Sequence, residues 1–504
     1  MLWNAARFQA YQNRSLLVVC VVLTMGKKKS VIVGIICGTL VLSVMLSCSP
    51  FTVPDRSTSH KVLPETFSLG DAVATPEQRW WFAFSSPQLN TLVKEALAEN
   101  LSLHVYWARL EKVRAQAVKA GSALVPSVSG DASASYTRNH GVGEGNSGSS
   151  EKQNYSLGLV ASYELDLWGR VRAGAKSADL AASAGREDLN GAAMTIAAEV
   201  ARRWIGILAR QQELLLLQRQ LANNQIYLEL VELRFRKSLA SALDVLQQRQ
   251  LVERVQARIP LSQMEEQLLR NELAVLTGRM PNQLPDIKRQ SLPVLTTPPV
   301  TGIPARLLNN RPDIRAALHR LEAADQNLVV AKTDRLPAIR LTGSAAYSGS
   351  ELDRIFDNWL LNLASSLTAP LIDGGRRKAE VVVSAAEVKE QLAFYRQTVL
   401  TAVQEVEGAL IREERIREHI RRTDKQLVAA QSALSEARAR YVNGLNDYLP
   451  VLTQLLSVQN LEMDLIARRE DLLGARVSLY RSIGGTWTDQ LPPPATTSAK
   501  NQDE

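Results

Sequence analysis

The side chains that most often bind metals or move protons are scattered along this sequence. The five histidines are far apart and form neither a His-x-x-x-His pair nor a site with a Cys-x-x-Cys motif: His60, His104, His140, His319 and His419. A metal centre needs several such ligands at short and regular spacings. The sequence therefore predicts neither a metal site nor a histidine-based active site.

Two further patterns resemble catalytic motifs. Residues 143–148 (GEGNSG) match the Gly-x-Gly-x-x-Gly string, but a strand pattern follows them, whereas phosphate binding requires a helix N-terminus at that point. We interpret them as a hairpin loop. Glu413 and Glu414 lie among several arginines, which indicates a solvated helix face rather than an acid–base pair. With no Walker-type loop either, the sequence predicts no enzyme activity and no bound cofactor.

The informative polar residues lie instead at two corners, residues 234–246 (RFRKSLASALDVL) and 440–452 (RYVNGLNDYLPVL). A chain that turns between two long helices places its corner at the free end of the helical pair. We expect tip or gate residues among the polar side chains and partner-contact residues among the small and apolar ones. The tip or gate candidates are Asp244, Asn446, Asp447 and Tyr448, and the contact candidates are Leu239, Ala240, Gly444 and Leu445.

Two interpretations of the acidic corner residues remain open. In a symmetric tube, rings of Asp244 or Asp447 would constrict one end and favour the passage of cations. The alternative is local, because Gly444 suits a helix C-terminus and Asp447 suits the N-cap of the next helix.

The corners follow long segments with a seven-residue apolar repeat. The first carries Val200, Ile207, Leu214, Leu221, Leu228 and Phe235, and the positions 206 residues later carry Val406, Glu413, Ile420, Leu427, Leu434 and Tyr441. A return helix follows each corner and closes at residues 276–278 (LTG) or 482–485 (SIGG). A heptad repeat of this length needs partner helices, so the sequence predicts a duplicated long helical hairpin.

Each half also contains a pair of segments with alternating polarity, residues 127–168 and 338–372. The apolar positions include Val128, Ala132, Tyr136, Leu157, Leu159, Tyr163, Leu341, Tyr347, Trp359, Leu361, Leu363 and Leu367. A period of two indicates a sheet with one apolar face. Strands of about 10–13 residues are long enough to cross a bilayer with a tilt. A soluble sheet packed on helices would show the same alternation.

Four strands are too few to close a barrel, and an open sheet edge in lipid leaves backbone groups unpaired. If the strands cross a membrane, the barrel must therefore be shared between subunits. Because an eight-stranded barrel is filled by its own side chains, a conducting pore favours three or more copies.

The N-terminus has the composition of an export signal. Three lysines at positions 27–29 precede an apolar run that ends at residues 46–48 (LSC). We predict a signal peptide over residues 1–47, with translation starting at Met25. The end of the run resembles a lipobox, which makes Cys48 the predicted lipidation site, although residues 45 and 46 are bulkier than usual there. An uncleaved membrane anchor is the alternative.

Cysteine content and charge agree with this interpretation. All three cysteines lie in the leader or at its end, so the mature chain keeps one thiol and no disulfide. Ser49 rather than Asp follows that thiol, which in lipoproteins implies sorting to the outer membrane. Residues 1–47 hold five basic and no acidic side chains, which leaves 54 of the 59 basic residues against 51 acidic ones. This near-neutral balance argues against a nucleic-acid partner.

We predict the following organisation. A lipid-anchored linker (48–86) precedes a first repeat (87–280) with a helix over about 87–123, a β-hairpin (127–168), a long helix (170–238) and a return helix (241–279). A Pro-rich equatorial linker (281–305) leads to a second repeat (306–485) with a helix, a β-hairpin (338–372), a long helix (376–442) and a return helix (448–483). The tail (486–504) is predicted to be disordered.

Four motifs complete the pattern: residues 163–170 (YELDLWGR), 311–316 (RPDIRA), 369–376 (APLIDGGR) and 440–449 (RYVNGLNDYL). With them, the chain resembles the TolC-like outer membrane efflux proteins, in particular their lipid-anchored branch, from about residue 75 to residue 490. The resemblance implies a mainly α fold with a membrane β-barrel portion. The duplicated strand–helix unit would supply four strands per subunit to a trimeric twelve-stranded barrel, continued by a long α-helical periplasmic tunnel.

The resemblance also implies a function and partners. A homotrimer, lipid-anchored in the cell outer membrane, would be the passive exit duct of a tripartite efflux pump for drugs and other toxic small molecules. Its corners would contact a periplasmic adaptor (membrane fusion) protein, which couples the channel to an inner-membrane RND-type or ABC-type transporter. The alternatives are a channel for type I protein secretion and a periplasmic coiled-coil scaffold, although a scaffold has no use for the four strands.

The second corner departs from the family pattern at two places. The best-known members carry aspartates where this chain has Pro450 and Thr453. In the lipid-anchored branch the acid directly follows a Gly-Val pair, where this chain has Asn446, with Asp447 one place later. The gate chemistry is therefore less defined by the resemblance than the fold is.

Overall fold

The computed structural model describes residues 66–68, 79–143, 146–295 and 304–494. The predicted signal peptide, Cys48, most of the linker 48–86 and the end of the tail lie outside the described residues. The described chain divides into a sheet unit, residues 126–171 and 332–372, and a helical unit that contains the other described residues.

The chain forms eight α-helices within the described ranges. They are α1 (Pro87–Glu99), α2 (Leu101–Gly121), α3 (Arg170–Arg236), α4 (Ala242–Leu276), α5 (Leu307–Asn310), α6 (Pro312–Thr333), α7 (Arg376–Val442) and α8 (Leu449–Ile483). Short 3₁₀ segments span Trp80–Phe84, Ser122–Leu124, Pro304–Arg306, Leu352–Arg354 and Trp487–Gln490. None of the described helices combines the length and apolar composition that crossing a membrane requires.

The two long helices reproduce the 206-residue repeat of the sequence. Helices α3 and α7 each have 67 residues, which corresponds to about 100 Å. The sequence predicts 170–238 and 376–442 for them, and α3 ends two residues earlier than predicted. Val200, Ile207 and Val406 on the heptad stripes are fully buried. The stripes therefore form the helix-packing surface that their spacing indicates.

The long helices are joined to the return helices by polar contacts as well as apolar ones. Arg249 of α4 pairs with Glu232 of α3 at 3.0 Å. Arg219 of α3 pairs with Glu462 of α8 at 3.1 Å. Arg469 of α8 lies 3.6 Å from an oxygen of Asp424 on α7. Helices α3, α4, α7 and α8 thus pack along their lengths as neighbours.

The prediction of one continuous helix over 87–123 is wrong, because the chain breaks at Asn100. Its backbone leaves the helical region (φ −67°, ψ 119°), and its Oδ1 accepts a hydrogen bond from the Leu103 amide at 3.1 Å. Its Nδ2 donates to the Leu276 carbonyl at 2.8 Å, at the end of α4. Gly278 packs against this break, where an added Cβ would lie 2.4 Å from the Glu99 carbonyl oxygen. Asn100 therefore ends α1, caps α2 and fixes the end of α4.

Aromatic side chains anchor the start of the described helical chain. Trp80 stacks on Tyr480 with ring centroids 5.5 Å apart, and Trp81 meets Trp487 edge-on at 4.9 Å. Both tryptophans are buried, whereas Phe82 is exposed. The segment thus packs on Tyr480 of α8 and on Trp487 of the tail. The prediction of a disordered tail is therefore wrong for residues 487–490, which form a 3₁₀ segment.

The sheet unit is a four-stranded antiparallel meander in the order β1-β2-β3-β4. The strands are β1 (Ser127–Gly143), β2 (Asn146–Leu165), β3 (Ala338–Gly349) and β4 (Trp359–Thr368). The second hairpin is shorter than its predicted range, and residues 369–372 are not in a strand. Pro370 has no amide hydrogen to donate to a ladder at that point.

Candidate functional site: the hairpin corners and the sheet face

The first corner closes helix α3 with a residue in the left-handed conformation. Ser238 has φ +58°, and its amide donates to the Phe235 carbonyl at 2.8 Å. The next amide, that of Leu239, donates to the Arg234 carbonyl at 2.8 Å. This pair of hydrogen bonds satisfies carbonyls at the end of the helix in the Schellman arrangement.

The second corner has the same closure, with glycine in the left-handed position. Gly444 has φ +73° and donates to the Tyr441 carbonyl at 3.1 Å, and Leu445 donates to the Arg440 carbonyl at 2.9 Å. The prediction that Gly444 ends a helix is therefore confirmed. Glycine adopts this conformation without the steric cost that a side chain brings.

The two acidic corner residues have different roles. Asp244 belongs to a capping box, in which its Oδ2 accepts from the Ser241 amide at 2.9 Å and its own amide donates to the Ser241 hydroxyl at 3.2 Å. The prediction that Asp447 caps α8 is wrong, because Tyr448 occupies the N-cap and makes no side-chain cap bond. Pro450 at the start of this helix lacks the amide that such a cap would satisfy. The carboxylate of Asp447 is exposed.

Tyr448 is fully buried rather than displayed at the tip. Its hydroxyl donates to Oε1 of Gln248 on α4 at 2.6 Å, and its ring lies 5.2 Å from that of Tyr441. Burial raises the pKa of Tyr448, and the neighbouring Tyr441 and Tyr227 add to the effect. Tyr448 therefore acts as a neutral hydrogen-bond donor that holds the second corner against the first hairpin.

Tyr448 belongs to a buried amide network that joins three helices. Gln248 Nε2 donates to the Asn224 carbonyl at 2.8 Å, and Gln459 Nε2 donates to Asn224 Oδ1 at 2.7 Å. Gln220 extends the network to the Gln459 carbonyl at 3.3 Å. Sequence reasoning missed these residues. The available signal was the position of Gln248 on the apolar stripe of α4, which contains Val245, Val252 and Val255.

The predicted partner-contact residues lie on the outside of the corners. Leu239 and Leu445 are exposed, Ala240 is half-buried against the core of the corners, and Gly444 is exposed. Asn446 is half-buried. Three further leucines are exposed nearby in the sequence: Leu243, Leu246 and Leu449. We call the surface formed by the five exposed leucines the corner surface: Leu239, Leu243, Leu246, Leu445 and Leu449. It is apolar, which is typical of a protein-contact site.

The register of the sheet places its apolar side chains on one face. Leu157 pairs with Ala132 on one side and Tyr347 on the other, and Tyr347 pairs with Trp359. The opposite face carries polar pairs, including Ser133 with Ser156, Ser162 with Thr342 and Glu164 with Arg340. No described part of the chain covers the apolar face: Leu159, Leu361, Leu363 and Leu367 are all exposed.

The sheet has two outer strands whose far edges are unpaired among the described residues. Strand β1 pairs only with β2, and β4 pairs only with β3. An apolar face and two free edges match strands that enter lipid and that further strands complete.

The helical unit contains a buried ion pair between α7 and α8, which contradicts the interpretation of Glu413 as part of a solvated helix face. Glu413, predicted on a solvated helix face, is 2% exposed and accepts two hydrogen bonds from Arg476 of α8, at 2.5 and 2.9 Å. Arg417 adds a third at 2.9 Å. A carboxylate is stable in such a place only when it is fully paired.

The chain shares its sequence pattern and fold with known channel proteins. The family model described as outer membrane efflux protein matches residues 92–279 and 303–485. The pyoverdine export outer membrane protein OpmQ of Pseudomonas putida is 33% identical over 454 residues, which cover 89% of this chain and 96% of the relative. The toluene efflux pump outer membrane protein TtgI of Pseudomonas putida is 30% identical over 430 residues, which cover 83% and 89%.

Solved structures agree in fold. The outer-membrane channel OprN superimposes with a TM-score of 0.81 at 28% identity, covering 88% of this chain and all of the other. CusC, described for its transmembrane channel formation, gives a TM-score of 0.78 at 26% identity, covering 86% and 99%.

A duplicated helical hairpin combined with an apolar-faced antiparallel sheet defines a class of outer membrane channels. The chain belongs to the outer membrane efflux protein family. It is an outer membrane channel of an efflux system, with a periplasmic helical extension. Members of the family are channels rather than enzymes, and they form trimers that work with an adaptor and an inner-membrane transporter.

Proposed function

We propose that this chain forms a homotrimeric exit duct for small molecules, with twelve strands in the outer membrane and a helical tunnel in the periplasm. The observation that carries this proposal is the sheet face, which is apolar, is exposed in the part of the chain that the structure describes, and is bounded there by two unpaired edges. Such a sheet needs lipid on its apolar face and neighbouring strands at its edges. Three copies provide twelve strands, enough for a water-filled lumen.

The cargo and its energy source follow from the proposed place in a pump. OpmQ is described as a protein of pyoverdine export, and TtgI as one of toluene efflux. We propose that this chain likewise passes small organic molecules, unchanged, from an inner-membrane transporter of the RND or ABC type. A periplasmic adaptor protein would link the two.

We propose that the mature chain is lipid-anchored at Cys48. The support is the sequence: an apolar leader ends there, and the cysteine is the only one that remains after cleavage. Mass spectrometry of the purified protein tests this, because acylation adds the mass of fatty acyl chains to the N-terminal peptide. A Cys48→Ser variant is expected to lack that mass.

The corner surface is the proposed adaptor contact, and Asp447 is the proposed gate residue. Leu239 and Leu445 offer exposed apolar area, and the Asp447 carboxylate is exposed, unlike that of Asp244, which belongs to the capping box. We expect Asp447→Ala to lower the preference of the channel for cations, measured as a reversal potential across a salt gradient. An unchanged reversal potential would exclude Asp447 from the gate.

The central test is assembly and conduction. Purified protein is expected to migrate as a trimer in detergent and to produce discrete conductance steps in planar bilayers. A water-soluble monomer that does not insert into lipid would favour a periplasmic scaffold instead.

A further inference from the structure

A charged cleft in the helical unit has no role in the duct described above. It has a volume of about 690 Å³ and lies between α3, α4, α7 and α8. Two glycines line it, Gly206 on α3, which packs against Leu269, and Gly474 on α8. A Cβ added to Gly474 would meet no atom within 4 Å, so the space beside this helix is free.

The acidic side chains of the cleft already have cationic partners. Glu470 accepts from Arg210 at 2.5 Å, and Asp471 lies 2.7 Å from a guanidinium nitrogen of Arg468. Each carboxylate thus pairs with an arginine that does not line the cleft. Arg210 also pairs with Glu213 and Glu265, and Arg468 also pairs with Asp464.

The cationic side chains that line the cleft outnumber the acidic ones. Arg202, Arg203 and Arg412 line the cleft. Arg202 donates to the Ser478 hydroxyl at 2.9 Å and lies 3.5 Å from Glu199, which it shares with Arg203. Arg203 also pairs with Glu272 at 2.8 Å.

Arg412 has neither a hydrogen bond nor an ion pair in the part of the chain that the structure describes. Burial lowers the pKa of Arg202, and the positive charges of Arg481, Arg203 and Arg412 lower it further, against the opposing effect of Glu199. The guanidinium groups are thus close enough to repel one another, and an anion between them would remove that repulsion.

We propose that this cleft binds an oxyanion, a phosphate or a carboxylate group, with Arg412 and Arg202 as its ligands. A guanidinium presents a planar fork of N–H donors that matches the oxygens of either group. The Ser478 hydroxyl donates to the Gly474 carbonyl at 2.8 Å and accepts from Arg202, so it holds the Arg202 guanidinium at the cleft. The ligand is free phosphate or a carboxylate-bearing molecule, and the experiment separates the two.

The test is calorimetric titration of the full-length protein in detergent with sodium phosphate and, separately, with sodium citrate, at constant ionic strength set by sodium chloride. Saturable binding of phosphate alone assigns a phosphate site, and binding of citrate alone assigns a carboxylate site. Binding of both supports a general oxyanion site. If neither phosphate nor citrate binds, the proposal is wrong.

Two variants assign the binding to the cleft. Arg412→Gln removes a charge-assisted contact, so we expect binding at least about tenfold weaker. The control is Arg421→Gln, which removes the same charge from an exposed side chain of the same helix. Gly474→Leu fills the free space and replaces a helical glycine by a better helix former, so we expect a folded protein with no saturable binding. Equal affinities in the wild type and both cleft variants would contradict the site.

Discussion

Glu413 and Arg476 form a two-point ion pair between α7 and α8 in which the side chains are only 2% and 3% exposed. Glu413 occupies the single polar position of the second heptad stripe, 206 residues after Ile207 in the first. Ile207 is fully buried as well. The two hairpins therefore fill equivalent buried positions differently, the first with an apolar side chain and the second with an ion pair.

Removing one partner of this pair is expected to cost more than removing both. Glu413→Leu leaves Arg476 buried without its counter-ion, which costs about 3–5 kcal/mol, whereas the double variant Glu413→Leu/Arg476→Met leaves no buried charge there. Urea denaturation of the wild type, Glu413→Leu, Arg476→Met and the double variant gives the coupling energy between the two side chains. Glu414→Leu is the control, because Glu414 is the exposed neighbour on the same helix. Additive effects of the two substitutions would contradict the coupling.

The duplicated elements could be predicted because their signals are local. The sequence predicts a helix over 376–442, which contains the second heptad stripe, and the structure has one from Arg376 to Val442. The alternation likewise predicts one apolar sheet face. The partner of Glu413 could not be predicted, because Arg476 lies 63 residues further along the chain and no local pattern joins them.

The corners show the same limit. Their position in the chain predicts exposed side chains, but Tyr448 directly precedes α8, and the packing of that helix turns its ring inward. The break at Asn100 also depends on a distant group, the carbonyl of Leu276. When the role of a side chain depends on a contact with another helix, the spacing of residues in the sequence does not predict that role.

The buried hydroxyl of Tyr448 predicts a change in stability at high pH. Its pKa is raised in the folded state, so above pH 10 the folded chain keeps a proton that the unfolded chain loses. Stability therefore falls as pH rises, by up to about 1.4 kcal/mol per pH unit for this group. Tyr448→Phe is expected to cost about 1–3 kcal/mol at pH 8, because Gln248 loses its donor.

The same variant should lose stability less steeply between pH 10 and pH 11, since it no longer carries the titrating group. The measurement is the midpoint of thermal unfolding in detergent across this range. Tyr136→Phe is the control, because Tyr136 is exposed. Parallel pH profiles for wild type and Tyr448→Phe would show that this hydroxyl does not control alkaline stability.

The two corner closures predict opposite effects of exchanging their residues. A side chain in the left-handed conformation costs roughly 1–2 kcal/mol, and glycine avoids most of this cost. Ser238→Gly should therefore raise the free energy of unfolding by about 0.5–1 kcal/mol, and Gly444→Ser should lower it by a similar amount. Unfolding in urea measures both.

Gly121→Ser is the matched control for this exchange. Like Gly444, Gly121 has no atom within 4 Å of an added Cβ, but its φ is −66°. The substitution there should be neutral or slightly stabilising. If Gly121→Ser and Gly444→Ser destabilised equally, the left-handed backbone would not be the cause.

Phe67 fastens residues 66–68 of the N-terminal linker to the second repeat. Its ring is buried in a cluster with Ile314, Ala402 and Leu479, and the adjacent Ser68 amide donates to Glu407 Oε1 at 2.8 Å. Phe67→Ala removes apolar contacts worth about 3 kcal/mol or more.

Hydrogen exchange at the Ser68 amide measures this docking. A loss of this size should speed exchange roughly a hundredfold, because exchange follows the free energy of local opening. Phe82→Ala serves as the control, since Phe82 is an exposed phenylalanine elsewhere in the linker. Slow exchange in Phe67→Ala would mean that Glu407 alone holds the segment.

Strand β4 offers adjacent residues that test the assignment of the sheet faces. Leu363 is 79% exposed and pairs with Gly343 on the apolar face, whereas Asn362 pairs with Ser344 on the opposite face. A lysine on the lipid side of a barrel near the bilayer midplane costs about 2–4 kcal/mol, but a lysine on the lumen side is hydrated. We therefore expect Leu363→Lys to reduce the amount of trimer in the outer membrane fraction severalfold and Asn362→Lys to leave it unchanged. The two variants carry the same added charge one residue apart, so a difference between them reports which face meets lipid. Equal losses would mean that the apolar face is covered by protein rather than by the membrane.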